Sequence, residues 1–268
     1  MDFYVPFFSY PRHNEFVDIR SWKVIDPYQS IRTGDILLFS GSGLLSSAIK
    51  MFTKSTWNHI GMACWCELEH FDGSKSSDFF CFELGSQPFM DLMTRQVVDK
   101  AVRLVRLADI ANMYDMVSYR PINIHRDQSW PTRFERFMHK WKGIHFISAL
   151  GLVKNYLFSP GCRDDETTCA MLAARMLEEM GVTRLNFDPS QLNPNHFSAE
   201  SRAFDERLFR GADRVIYRDS RLINARLMFM GIILFVIIAL LVVLIYKLYK
   251  ARNKRAGFSP PNSASPVK

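Results

Sequence analysis

The sequence predicts an α+β domain in which an antiparallel sheet packs against one strong helix, followed by a single helix that spans a membrane. Three observations support this prediction. Several short segments alternate apolar and polar residues with the period of a strand. Residues 166–181 carry apolar side chains at spacings of three and four, which is typical of a helix. Residues 227–246 are apolar without a single charge, which suits a membrane span.

The helix in residues 166–181 places a thiol on its opening turn. Its apolar stripe consists of Leu172, Ala173, Met176, Leu177 and Met180, and Gly181 is a fitting stop. Thr167 or Thr168 can cap the start, so Cys169 falls in the first turn. Free amide N–H groups and the positive end of the helix dipole favour a thiolate there, which is a nucleophile. The alternative is that Cys169 is a small apolar residue in a packed helix.

The remaining elements follow from the same periodicities. Strands are predicted at residues 36–40, 57–66, 78–85, 101–107 and 115–122, a polar loop at 69–77, and helices at 44–52 and 131–142. We divide the chain into a lead (1–30), a globular domain (31–200), a linker (201–226), the span (227–246) and a basic, Pro/Ser-rich tail (247–268).

The apolar run at residues 227–246 is long enough to cross a hydrocarbon core, and a buried core helix of this length would carry a polar face. Residues 1–20 contain several charges and no apolar signal sequence. We therefore expect a tail-anchored, single-pass protein whose N-terminal domain lies in the cytosol. Arginines and lysines flank the span on both sides, which leaves its orientation open.

Cysteine usage and charge limit the other classes of function. The chain has 5 cysteines in no regular framework, which suits a reducing compartment. Cys64 and Cys66 form a C-x-C without a second pair, so we predict no metal site and no cofactor. The net charge of +7 owes much to basic residues beside the span, which favours a lipid bilayer as partner over nucleic acid.

A thiol nucleophile needs a base and a group that orients the base. His59 lies on an apparent buried strand, and Glu83 is a charge near the end of an apolar strand. If the two strands pair, Glu83 can reach the far nitrogen of the His59 ring. The alternatives are a core histidine bonded to backbone and a glutamate that points to water.

Other residues compete for both positions. Glu67 and Glu69 compete with Glu83 as the orienting group. His125, His139 and His145 compete with His59, but His125 belongs to a polar turn and His139 to a charged helix face, so we expect both to be solvated.

The order of these motifs resembles the circularly permuted papain-like cysteine hydrolases of the NlpC type. The similarity covers about residues 31–192, through the motifs Thr33-Gly-Asp-Ile-Leu-Leu-Phe, Trp57-Asn-His-Ile-Gly-Met, Phe82-Glu-Leu-Gly, Thr168-Cys-Ala-Met-Leu and Asp188-Pro-Ser-Gln-Leu. In that family the histidine strand precedes the cysteine helix. The resemblance implies a permuted papain-like fold with Cys169 as nucleophile, His59 as base and Glu83 as orienting residue.

The sequence departs from that family at two places. The loop between the His59 and Glu83 strands is long, and Ile144-His145-Phe146 stands where many members have Tyr-Asp. His145 and Trp57 are therefore our candidate substrate-binding residues. The related lecithin retinol acyltransferase-like group joins such a domain to a C-terminal span and acts on lipid acyl esters, but its Asn-Cys-Glu-His signature is replaced by Thr168-Cys-Ala-Met.

The expected activity is cleavage of an amide or ester through an acyl-thioester on Cys169, with a peptide, isopeptide or lipid acyl substrate. Family members with motifs of this style occur in bacteria and large DNA viruses, so the resemblance makes a viral protein of a virion or host membrane plausible. The second hypothesis is a catalytically silent, membrane-anchored binding or assembly protein with a papain-like domain.

Overall fold

The structure is a computed structural model that describes residues 16, 18–41, 46–47, 50, 55–147, 166–184, 188–201 and 203–218. The predicted membrane span at residues 227–246 and the tail at 247–268 lie outside these residues, as does most of the predicted helix at 44–52. Among the helices within the described ranges, none is both long enough and apolar enough to cross a membrane.

The described strands are β1 (Ile19–Ile25), β2 (Ile36–Ser40), β3 (His59–His70), β4 (Lys75–Leu84), β5 (Phe89–Asp91), β6 (Gln96–Val98), β7 (Val102–Arg106), β8 (Met116–Arg120), β9 (His145–Phe146), β10 (Glu166–Thr167) and β11 (Arg214–Arg218). The described α-helices are α1 (Leu107–Ala111), α2 (Trp130–Trp141) and α3 (Cys169–Glu179). Short 3₁₀ turns occupy Pro189–Gln191, Pro194–Phe197 and Glu206–Leu208.

Within the described residues, seven strands form one antiparallel sheet in the order β11-β8-β2-β3-β4-β7, with β1 beside β3. β3 is central because it is long enough to take two partners along one edge. β2 pairs with its first residues, as in Phe39↔His59, and β1 pairs with its later ones, as in Ile25↔Trp65. The predicted α+β class with an antiparallel sheet packed against helices is confirmed.

The sheet has two buried faces, which divide as the alternation of β3 and β4 predicts. Ile60, Met62, Phe80 and Phe82 join the core that contains the buried stripes of α2 and α3. Ala63, Phe79 and Cys81 belong to a second core on the other face, which α1 covers. His59 and Glu83 lie on this second face, because they alternate along their strands in step with Ala63 and Cys81.

The prediction of a polar loop at residues 69–77 is wrong. β3 runs to His70 and β4 begins at Lys75, so a turn of four residues, 71–74, joins them. Charged residues are compatible with strands here because they pair across the sheet: Glu67 lies 3.0 Å from Lys23 Nζ and 3.4 Å from Lys75 Nζ. Polar composition indicated a loop where cross-strand charge pairs stabilise an exposed hairpin.

Two strands of the seven-stranded sheet occur where the sequence analysis predicted none. β1 lies in the segment assigned to the N-terminal lead and is anchored by Ile19 and Val24, which are buried. β11 lies in the segment assigned to the linker and pairs with β8 through two short registers separated by an irregularity. An irregular register of this kind weakens the alternation that identifies a strand in sequence.

Candidate active site

Cys169 is the first residue of α3, and its position is fixed by the cap before it. Thr168 is extended, with φ −110° and ψ 161°, and its Oγ1 accepts a hydrogen bond of 3.1 Å from the Met171 N–H. The helix ends where predicted, with Gly181 in the left-handed region at φ 73°. α3 packs on β3 and β4, so the half-buried Cys169 is held at the edge of the sheet.

His59 is the first residue of β3, and its ring contacts both other members of the predicted triad. The ring interacts with the side chain of Cys169, which helps to raise the pKa of His59. Its Nε2 lies 2.8 Å from Oε2 of Glu83. Because Glu83 occupies Nε2, Nδ1 is the nitrogen left to face the Cys169 sulfur. The structure therefore brings together three side chains that the sequence proposed as a unit.

Gly61 makes the space through which Glu83 reaches His59. Gly61 is the direct cross-strand partner of Glu83 on β4, and His59 lies two residues before it on the same face. A Cβ at Gly61 would be 3.1 Å from the Glu83 Cβ and closer still to the Cys81 sulfur. With no side chain opposite it, the Glu83 carboxylate extends diagonally to the imidazole.

Arg103 is a part of the site that the sequence analysis missed. It is the direct partner of Glu83 on β7, and its Nε donates to Glu83 Oε1 at 2.7 Å. Its guanidinium also donates to the carbonyl oxygens of Gln87 and Val98 and lies over the Phe89 ring. Since Arg103 is only 1 % exposed, Glu83 and Arg103 form a buried pair in which both charges have partners.

These contacts determine the charges at the site. Burial would raise the pKa of Glu83, but the Arg103 charge and the bond with His59 outweigh it and hold the pKa below its usual range. Burial would likewise lower the pKa of His59, but its interactions with Cys169 and Glu83 raise it to about 9. His59 is therefore an imidazolium at neutral pH, flanked by a carboxylate and a sulfur.

Tyr114 is a second residue that the sequence analysis missed. Its half-buried ring stacks on His59 with an interplanar angle of 6° and 5.7 Å between centroids, and Phe39 contacts both rings. Burial and the nearby charges of Glu83 and Cys169 raise the pKa of Tyr114 well above its usual value, so its phenol keeps its proton. Tyr114 and Phe39 thus restrict rotation of the imidazole.

The two candidate substrate-binding residues lie apart from this network. Trp57 is buried in the core, close to Asp213. His145 is exposed on β9, opposite Glu166 on β10, with a single bridge to Ala101. Their contact with a substrate stays a prediction.

The residues that competed for the roles of base and orienter are at the surface. Glu67 pairs with lysines and Glu69 with Ser21 and Arg20. His125 is exposed, and His139 is an exposed residue of α2 that stacks on Trp22.

Cys64 and Cys66 are buried neighbours on one face of β3, with their sulfurs 3.7 Å apart. Across the ranges that the structure describes, no three His, Cys, Asp or Glu side chains are grouped as a metal site requires.

No known protein family and no curated protein sequence matches this chain. Among solved structures, the chain is similar to the crystal structure of metalloprotein yiiX from Escherichia coli O157:H7, DUF1105. The similarity has a TM-score of 0.40 and 14% sequence identity, and it covers 71% of this chain and 99% of that chain.

Proposed function

We propose that the protein is a thiol hydrolase or acyltransferase of the permuted papain-like type, which cleaves an amide or ester bond through an acyl-thioester on Cys169. The observation that carries the proposal is the position of His59, whose ring is hydrogen-bonded to Glu83 and interacts with Cys169. A thiol, a base and an orienting carboxylate in this order form a complete nucleophilic unit.

The reaction begins from the pair in which the proton of the Cys169 thiol already lies on Nδ1 of His59, which the raised pKa of that ring favours. The sulfur attacks the substrate carbonyl carbon, and the carbonyl oxygen becomes an oxyanion. The backbone N–H of Cys169, in the first turn of α3, has no partner within the helix and can donate to that oxyanion. The tetrahedral intermediate collapses as His59 protonates the leaving amine or alcohol, which leaves the acyl group on Cys169.

The second half of the reaction regenerates the enzyme. His59 removes a proton from water, or from another acceptor hydroxyl or amine, as that group attacks the thioester carbonyl. The C–S bond breaks, the product carboxylate, ester or amide leaves, and the Cys169–His59 pair is restored. Glu83 keeps its charge throughout, because Arg103 remains bonded to its other oxygen.

The substrate class follows from the expected membrane span at residues 227–246. A single anchor would confine Cys169 to the surface of a bilayer, where a membrane-associated substrate has a high effective concentration. A lipid acyl ester or a peptide or isopeptide bond of a membrane protein fits this arrangement. We propose that the domain lies on the cytosolic side of a host or virion membrane.

The test uses the full-length chain in detergent micelles with two panels of substrates, short-chain lipid acyl esters and isopeptides. We expect turnover of one panel, a mass increase equal to the acyl group on intact protein, and loss of both in Cys169→Ala. Cys66→Ala, which removes a buried thiol outside the site, should retain activity. Turnover that survives Cys169→Ala contradicts the proposal, and binding without turnover supports the catalytically silent alternative.

A further inference from the structure

A separate pocket of about 390 Å³ lies at the end of β2 and β8 away from Cys169. Phe39, near the end of β2, pairs with His59 at the candidate active site. Asp35 directly precedes β2 and Pro121 directly follows β8, and both line this pocket. Because the two strands are antiparallel neighbours, these positions meet at the opposite edge of the sheet.

Four arginines line the pocket, and two of them are neutralised. Arg32 forms a bidentate pair with Asp26. The side chain of Arg126 is buried, and it lies 2.5 Å from Asp35. Asp35 also accepts hydrogen bonds from the backbone N–H groups of Arg32 and Ile122, at 2.8 and 2.9 Å. This buried carboxylate therefore joins the two strand ends and fixes the floor of the pocket.

The other two arginines, Arg210 and Arg214, have neutral partners. Arg210 Nε donates to Asn123 Oδ1 at 2.7 Å, and Arg214 donates to the Tyr119 hydroxyl at 3.3 Å. Within the described part of the chain, no carboxylate pairs with either guanidinium. The pocket thus carries two positive charges beyond those that Asp26 and Asp35 balance.

The pocket also has an apolar side, formed by Pro121, Ile122 and Ile124. Its volume lies in the lower part of the range of small-molecule sites, roughly 300–1,000 Å³. Guanidinium groups bind phosphate oxygens in a two-pronged geometry. We infer that this pocket binds a phosphate ester, with the phosphate on Arg210 and Arg214 and an apolar body against the proline and isoleucines.

The test compares the full-length wild-type chain in micelles with Arg210→Gln/Arg214→Gln and with Arg207→Gln. Arg207 is exposed, lies three residues from Arg210 and pairs with Asp205 instead of lining the pocket. One arm titrates glycerol 3-phosphate calorimetrically. The other measures binding to micelles that contain phosphatidic acid or phosphatidylcholine. Urea unfolding checks that all three proteins are folded.

We expect the double variant to lose at least about tenfold in affinity for a phosphate probe, because it removes both charged donors that would hold the phosphate. Arg207→Gln should match wild type, and alkylation of Cys169 should be unchanged in all three. Binding of glycerol 3-phosphate identifies a soluble ligand, and a response to phosphatidic acid alone identifies a lipid headgroup. The inference is overturned if wild type binds neither probe at millimolar concentration, or if the folded double variant binds as tightly.

Discussion

The Nε2 atom of His59 lies 2.8 Å from Oε2 of Glu83, and the two side chains come from neighbouring antiparallel strands. Because an ionised carboxylate only accepts, Nε2 must carry a proton that it donates to Glu83. Nδ1 is then directed to Cys169. This one contact determines which nitrogen of His59 exchanges a proton with the thiol. Arg103 donates to the other oxygen of Glu83 and keeps that carboxylate charged.

Replacing Glu83 by Gln should reduce kcat/KM by roughly 10²–10⁴, because an amide can donate to Nε2 and stabilise the wrong tautomer. The measurement is hydrolysis of the best substrate across pH. The pKa of His59 should also fall, since Glu83 helps to raise it. Glu67→Gln, an exposed change on the same pair of strands, is the control and should behave as wild type. Equal losses of kcat/KM in the two variants would show that Glu83 does not orient His59.

Replacing Arg103 by Met should destabilise the fold by roughly 3–5 kcal/mol, because Glu83 then remains buried without its cation. Urea unfolding measures this loss, and Arg136→Gln on the exposed side of α2 is the matched control. The double variant Glu83→Gln/Arg103→Met should lose less than the sum of the single changes, since it leaves no uncompensated charge. Strictly additive losses would show that the pair is not coupled.

The stability of the protein should depend on the protonation of His59. Its pKa is 6.5 in an unfolded chain and about 9 in the fold, so the folded state binds the proton more tightly. The stabilisation is complete below pH 6.5 and is lost as pH rises toward and through 9. The difference in unfolding free energy between wild type and His59→Gln should therefore shrink from pH 6 to pH 9.5. If the difference in unfolding free energy grows with pH, the folded state does not bind the His59 proton more tightly than the unfolded chain does.

Tyr114 should act by positioning the His59 ring. Tyr114→Ala removes the stacked ring and should reduce kcat/KM by up to about tenfold, which corresponds to the roughly 0.5–1.5 kcal/mol of an aromatic contact. Tyr114→Phe keeps the ring and should stay within about twofold of wild type. If Tyr114→Phe is as impaired as Tyr114→Ala, the hydroxyl and not the stacking matters.

The parts of the site that could be predicted are those with a local signal. The three- and four-residue spacing of the apolar stripe in α3 located Cys169 on the first turn. Thr168, one of the two caps that the sequence offered, is the N-cap in the structure. The period of two grouped His59 with Ala63 and Glu83 with Cys81, and the register of β3 and β4 puts both groups on one face. Each of these inferences needs only a window of about ten residues.

The parts that were missed depend on which strands are neighbours. Arg103 meets Glu83 because β7 pairs with β4, and Tyr114 reaches His59 from the turn before β8. One signal for Arg103 was available: the alternation of β7 directs it to the same face as Val105, which is buried. A charge on a buried face requires a partner, and Glu83 was such a partner.

The most direct test of the central claim is the rate at which Cys169 reacts with iodoacetamide at pH 6, measured by peptide mass spectrometry on the full-length chain. Because a neighbouring imidazolium increases the reactivity of a thiol, His59→Ala should slow the alkylation of Cys169 at least about tenfold. His125→Ala, which removes an exposed histidine, should leave the rate unchanged. If Cys169 is alkylated as fast in His59→Ala as in wild type, the pair does not activate the thiol and the hydrolase account is wrong.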